Sequence, residues 1–393
     1  MFQIRTLIAL LLLGLAPAAA WPQDGSLPPL TSPWPVEKAR AWAERTPWLV
    51  GCNYTPAYAI NQLEMWQPET FDLEAIDREL GWAEELGFTS IRVFLHHLLW
   101  EQDAPGLLDR MERFLAVADR HRIGVMFVPF DSVWDPDPRP GPQRAPRPGV
   151  HNSGWVQSPG RAILADPDRH EEVKAYLQGV IGRFRADRRI HAWDLVNEPE
   201  NPNTNSYGRL EPANKVELAR IFVRRCFAWA REMDPEQPLT CGVWTGDWAE
   251  GKRIGLHDDQ LKLSDIITFH SYDPLPRLQE RVESLRGLGR PMACTEYMAR
   301  PNGSTFDPML GYLEEQGIGA YCWGFVAGKS NTIYPWDSWV KGPYESEPPR
   351  WFHDIFRQDG TPYDPTEVAY IKQVTARARA QGRTAGLAAG GKR

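Results

Sequence analysis

From residue 48 onward the chain repeats one unit: a short apolar run, a turn, then an amphipathic helical pattern. Eight apolar runs carry the repeat: Trp48–Tyr54, Thr89–Leu95, Gly124–Phe130, His191–Val196, Leu239–Trp244, Ile266–Tyr272, Pro291–Tyr297 and Gly319–Phe325. Helical patterns lie between most of them. Phe71–Leu86 sets Leu73, Ile76, Leu80, Ala83 and Leu86 near the 3.6-residue period, and Leu107–Arg120, Glu171–Phe184, Lys215–Met233 and Leu278–Leu288 behave similarly. Near-continuous apolar runs alternating with helices specify a parallel sheet covered on both faces. Eight of them in one stretch favour closure over an open doubly wound sheet, and no Gly-x-Gly-x-x-Gly follows the first run. The expected class is α/β, a single (β/α)8 TIM barrel.

The flanks read differently. Arg5, the apolar run Leu7–Leu15 and Ala18-Ala19-Ala20 follow the charged, apolar, small-residue order of a secretory signal. The expected organisation is a signal peptide over 1–20, a leader segment over 21–44 that is irregular through residue 35, a barrel domain over 45–373 and a solvated tail over 374–393. The signal implies a periplasmic or secreted protein. No Cys follows the cleavage site, so no membrane anchor is expected.

Net charge is −7, which argues against a nucleic-acid partner. The five cysteines match no zinc spacing, and most sit in apolar runs as small hydrophobes. The 17 tryptophans are more than a core needs, because each buried indole N–H requires a partner. The surplus suits stacking against sugar rings. Tyr54, Tyr58, Trp66, Trp100, Trp134, Trp155, Trp244, Trp248, Trp336 and Trp339 fall in or near the rim, where some would form subsites and others pack.

Two runs end in carboxylates. The fourth ends Trp193-Asp194-Leu195-Val196-Asn197-Glu198-Pro199, the seventh Cys294-Thr295-Glu296-Tyr297. A carboxylate at the end of a buried strand is unfavourable unless paired or hydrogen-bonded. A parallel barrel aims all its strand ends at one mouth, so Glu198 and Glu296 would meet there. Glycoside cleavage needs two such groups flanking one bond, and at ~5–5.5 Å one can attack while the other protonates the leaving oxygen. Arg92 stands alone in Ile91-Arg92-Val93-Phe94, where it needs a carboxylate partner. His270 and Tyr272, two apart, point the same way. Trp323 ends the eighth run. Arg92, His270 and Trp323 each have a structural reading as well: an ion pair, a satisfied core histidine, packing.

With these residues together, the chain resembles the clan of (β/α)8 retaining glycosidases, most closely glycoside hydrolase family 5, over roughly residues 45–360. The matching motifs are Asn197-Glu198-Pro199, Glu296, Arg92, His270-Ser271-Tyr272 and Trp323. The resemblance implies Glu198 as acid/base and Glu296 as nucleophile. It implies Asn197 on the sugar 2-hydroxyl, Arg92 and Tyr272 orienting the nucleophile, His270 lining the site and Trp323 beneath the reacting sugar. It implies a β-linked oligosaccharide or polysaccharide as partner, no cofactor, no metal, and a monomer or small homo-oligomer. One departure stands out. Family 5 enzymes usually carry a His near the end of strand three, where this chain reads Phe130-Asp131-Ser132; His96, His97 or Asp131 would fill that place.

Rival chemistries fit less well. Metal hydrolysis would want His-x-His on strand one, which reads Gly51-Cys52-Asn53-Tyr54, and a serine hydrolase would want Gly-x-Ser-x-Gly. A transglycosylase would use the same residues, and a non-catalytic carbohydrate-binding barrel would keep the aromatics without both carboxylates. A Pro-rich loop over 135–160 and a second loop over 335–350 would stand at the mouth. If they closed the cleft into a pocket, action would be at chain ends.

Overall fold

A computed structural model describes residues 27–383. The expected signal peptide and residues 384–393 lie outside the described residues. Eight parallel strands form the sheet: β1 Val50–Asn53, β2 Ser90–Phe94, β3 Gly124–Val128, β4 Ile190–Asp194, β5 Leu239–Thr240, β6 Ile267–His270, β7 Met292–Tyr297 and β8 Gly319–Trp323. Their order is β5-β4-β3-β2-β1-β8-β7-β6. The remaining seam, between β5 and β6, is closed by a parallel bridge from Val243 to Phe269 and by Thr240 Oγ1 donating to Ile266 O at 2.9 Å. The (β/α)8 barrel is therefore complete, and each strand falls inside one of the apolar runs except β4, which begins one residue earlier, at Ile190. Past β3 and β4 the chain pairs once more, Phe130–Asp131 with Val196–Asn197, extending the wall upward beneath the mouth.

Register follows from close fit. A Cβ on Gly51 would meet Ser90 O at 1.6 Å, so only glycine lets β1 sit in register with β2. Inside the barrel, Leu49, Met126, Ala192, Ile266, Ala293 and Tyr321 fill the lower layer. The opposite faces of the strands carry Cys52, Ile91, Val125, Trp193, Phe269 and Cys294 into the larger core under the helices. All five cysteines are buried and free.

The helices cover that core. They are α1 Val36–Arg45, α2 Leu73–Glu85, α3 His97–Arg120, α4 Lys174–Phe184, α5 Lys215–Glu232, α6 Gly255–Leu263, α7 Leu275–Arg286, α8 Phe306–Glu315 and α9 Pro365–Ala380. Helix α2 starts at Asp72, whose carboxylate accepts from the backbone N–H of Glu74 and Ala75. Helix α3 begins ten residues before the expected Leu107, with a kink at Asp103 ahead of Pro105.

Two boundaries differ from the sequence reading. The expected leader segment is not separate from the barrel: from residue 36 it forms a helix that runs to Arg45. Helix α1 closes the bottom of the barrel, with Ala43 and Trp42 against the lower layer. Helix α9 runs past 373 into the expected tail, burying Val374 and Ala378, and Thr375 Oγ1 donates to Leu86 O at 2.7 Å. Helices α1 and α9 thus pack against the barrel from either flank. No helix among the described residues is long and apolar enough to cross a membrane.

Candidate active site

The mouth of the barrel has a polar floor built around Arg92. Its side chain is wholly buried on β2, and every neighbour it reaches is an acceptor. Nε donates to Asp194 Oδ2 at 3.0 Å, Nη1 to Asn53 Oδ1 at 2.8 Å and Glu296 Oε1 at 2.9 Å, and Nη2 to Asn197 Oδ1 at 2.7 Å. One guanidinium thus ties together the upper ends of β1, β2, β4 and β7. Its planar fork fits this better than an ammonium could. The paired carboxylates keep Arg92 charged: their attraction raises its pKa against the desolvation that opposes it.

Glu296 reaches the mouth because β7 carries an irregularity. Ala293 faces the barrel interior and Cys294 the outer core. Strict alternation would send Glu296 outward like Cys294. The pairing with β6 shifts instead, from Phe269↔Cys294 to His270↔Glu296, so one extra residue re-aims the carboxylate inward. There Tyr272 Oη donates to Glu296 Oε2 at 2.8 Å, opposite the Arg92 contact on Oε1. Burial pushes the Glu296 carboxyl above its ordinary range, and the charge of Glu198 adds to this. His270, Arg92 and the Tyr272 hydroxyl pull it back down.

Glu198 stands just past β4 in a different setting. Its backbone has φ +41°, a left-handed conformation that a non-glycine residue holds only under constraint. Asn201 N donates to Glu198 O at 2.9 Å, closing the turn, and Asn201 Nδ2 donates to Glu198 Oε2 at 2.6 Å. Lys215, at the start of α5, holds this loop by donating to Asn201 O at 2.6 Å and pairing with Glu211 at 2.9 Å. Burial is the main influence on the Glu198 carboxyl and pushes it up to about 7, with Glu200 adding to the rise and Asn201 opposing it.

His270 bridges the two carboxylates. Its Nδ1 is 2.8 Å from Glu198 Oε1 and 3.5 Å from Glu296 Oε2. One oxygen of each carboxylate and one ring nitrogen lie within 4.8 Å of one another. Burial lowers the imidazole to about 4, so the ring is neutral at pH 7. Two nearby carboxyls in a buried site resist sharing full negative charge. Only Glu296 has a guanidinium in contact, so the proton they retain rests on Glu198.

Above this floor lies a pocket with an empty volume of about 930 Å3, part of it open to solvent. Asn197, Glu198, Glu296, Tyr272, Trp244, Trp323 and Asp131 all line it. Asn197 is tied at both ends: Oδ1 accepts from Arg92, and Nδ2 donates to Asp131 Oδ1 at 3.0 Å, leaving one amide hydrogen free for a ligand. Asp131 also accepts from Val133 N at 3.2 Å and from the indole N–H of Trp155. Its oxygens are thus engaged in orienting Asn197 and Trp155.

His96 does not reach the pocket. Its Nδ1 accepts from Leu98 N at 3.2 Å, capping α3, and its Nε2 lies 2.9 Å from Gln157 O. His97 beside it faces Ser158 Oγ at 3.0 Å. Neither replaces the histidine missing after β3. Among the rim aromatics, Trp134, Trp155, Trp244 and Trp336 line the pocket, whereas Tyr54, Trp66 and Trp248 are buried in the outer core. Sequence reasoning did not single out Asn53, Asp194, Asn201, His151 or Asn152. Asp194 and Asn201 carry a local signal, since both flank the Asn197-Glu198 motif. The others are brought in by distant chain segments.

The chain is similar to known proteins in one segment of its sequence and in its fold. The model of "Glycosyl hydrolase family 10" matches residues 151–256, the segment that contains Glu198. A β-1,4-xylanase of Dictyoglomus thermophilum is 30% identical over 92 residues, which cover 23% of this chain and 24% of that enzyme. The match thus spans about a quarter of the curated relative. Solved structures are similar over most of the chain. A β-mannanase from the blue mussel Mytilus edulis superposes with TM-score 0.52 at 19% identity, covering 75% of this chain and 90% of that one. A GH5_18 protein from Streptomyces cattleya, solved with Manβ1-4GlcNAc, gives TM-score 0.60 at 14% identity, covering 86% and 82%.

Proposed function

We propose, from its place in the clan of (β/α)8 glycosidases, that this chain is a retaining β-glycoside hydrolase. One observation carries the reading: one oxygen of Glu198 and one of Glu296 lie within 4.8 Å of each other, which favours the ~5–5.5 Å spacing of direct attack over the ~6.5–9.5 Å that admits a water between the carboxyls. Glu296 is the nucleophile. Its oxygen bonds to the anomeric carbon as the glycosidic C–O bond breaks, and Glu198 gives its proton to the departing oxygen. In the second step Glu198 takes a proton from water, the water oxygen bonds to the anomeric carbon, and Glu296 leaves. The free amide hydrogen of Asn197 is placed to bond the sugar 2-hydroxyl, and Trp323 to support the ring. A sugar hydroxyl in place of water would give transglycosylation by the same residues.

The substrate class is a β-linked oligosaccharide or polysaccharide. β-1,4-Linked xylose and mannose units come first, since the relatives are named for xylan and mannan. The amino-terminal pattern of residues 1–20 supports export to the periplasm or beyond.

Replacing Glu296 with Ala tests the mechanism on aryl β-xylosides and β-mannosides. The variant is expected to be inactive alone and to regain turnover with azide, yielding a glycosyl azide of inverted configuration. Turnover without azide would show that another group attacks. The azide adduct of Glu198→Ala is expected to keep the substrate's configuration.

A further inference from the structure

Two loops far apart in the chain meet over one side of the mouth. The first follows β3, the second β8. Those strands are separated in the barrel by β2 and β1, so the loops join across the rim above β1 and β2. Asn152 N donates to Ser330 O at 2.8 Å, Trp339 Nε1 to His151 O at 2.7 Å, and Tyr344 N to Gly149 O at 2.9 Å. Trp339 also stacks on Trp134 with ring centres 5.4 Å apart, and Arg147 lies 4.9 Å from the Trp339 ring. Beneath the join, Phe94, Trp155 and Trp323 meet edge to face at 5.2 to 6.0 Å and form an end wall.

Asn152 sits at this closed end. It borders both the main pocket and a smaller recess shared with Ser330, Thr332 and Asp354. The residue is 1% exposed, and neither its amide nitrogen nor its amide oxygen has a hydrogen-bond partner among the described residues. Asp354 Oδ1 in the same recess is equally unpartnered. Buried polar groups are nearly always bonded, so an amide left free at a pocket wall marks a place for a ligand's polar atoms. Asn152 is fixed there by φ +47°, which asparagine tolerates better than most residues.

The other side of the pocket is bordered by Asn201–Ser206 and Trp244, on the β4 and β5 side, where Glu198 stands. The acid protonates the leaving group, so the leaving sugar must lie on Glu198's side and depart that way. The retained sugar then faces the closed end. We propose that the enzyme acts at the non-reducing end of β-linked chains. The terminal sugar lies against Trp323 and Trp155, and the Asn152 amide bonds its outer hydroxyls. This rests on the glycosidase reading above.

β-1,4-Xylopentaose and β-1,4-mannopentaose, each carrying a fluorophore at the reducing end, distinguish the cases, with aryl β-glycosides run alongside. The expected first labelled product is the tetrasaccharide, followed in order by shorter ones. A labelled mono- or disaccharide appearing first would overturn the proposal. So would turnover of aryl glycosides with both pentasaccharides untouched, and that outcome leaves the hydrolase reading standing. Inertness toward every substrate would sink the hydrolase reading itself. Asn152→Gly, which accepts φ +47° freely, is expected to lower kcat/KM on the cleaved pentasaccharide about tenfold while the first product stays the same. An unchanged kcat/KM would remove Asn152 from the sugar.

Discussion

The ends of β4 and β7 carry the same side chain into the same pocket and treat it in opposite ways. Glu296 is gripped on both oxygens, by the Arg92 guanidinium at 2.9 Å and the Tyr272 hydroxyl at 2.8 Å. Glu198 accepts from the Asn201 amide and stands beside neutral His270. Both are buried. Burial alone would protonate both carboxyls, so the difference in donors divides the labour: charge is retained where the cation touches, and the proton where it does not.

Removing the cation should erase the difference most completely. Arg92→Met leaves Asp194 and Glu296 buried without their common partner, and unpairing a buried charge costs about 3–5 kcal/mol. Urea unfolding at pH 7 should read a loss of that size, together with collapse of activity. A loss below about 1 kcal/mol would mean the floor is held by something other than this charge.

Tyr272→Phe touches only the β7 side. It deletes one hydrogen bond to a carboxylate, worth about 1.5–3 kcal/mol, so kcat/KM should fall about 10- to 100-fold. The acidic limb of the pH profile should also move to higher pH, because the hydroxyl helps keep Glu296 ionised. A limb that stays in place would assign the phenol to sugar binding.

The smallest effect is expected on the β4 side. With Glu198 near pKa 7, kcat/KM should fall as pH rises through about 7, since the acid then loses its proton. Asn201→Leu removes a donor that favours the carboxylate. The basic limb should therefore move upward, by less than about one pH unit. A downward movement would mean that Asn201 bonds the protonated form.

The two strand ends were also unequally legible in the sequence. Glu198 announces itself through its neighbours in Asn197-Glu198-Pro199. Glu296 is visible only by counting strands, and its inward aim depends on a register shift that no alternation pattern contains. Arg92 could be read because a lone cation in an apolar strand demands a partner. Its contacts with Asn53 and Asp194, on other strands, could not, although Asp194 stands close to the Asn197-Glu198 motif. His96 was misplaced because strand-end position cannot distinguish a helix cap from a pocket wall. Helix α1 left little signal because it fully buries only Ala39 and Ala43, with Trp42 half-buried beside them, too little apolar surface for a visible period. The Pro-rich loop was expected at the mouth, but its contact with the loop after β8 is set by tertiary packing.

That contact bears on how the protein comes into being. His151 bonds Tyr334, Ser338 and Trp339 across sequence separations of 183, 187 and 188 residues. Closing so long a loop carries an entropic cost before any contact rewards it, and contacts of this span slow folding. On an emerging chain, the floor strands β1 to β4 are made well before residues 330–344. The reacting groups therefore precede the wall that would select their substrate. A chain ending just before Ser330 would keep β8 and Glu296 but lose the bonds from residues 330–344 to Gly149, His151 and Asn152, leaving the mouth open on that side.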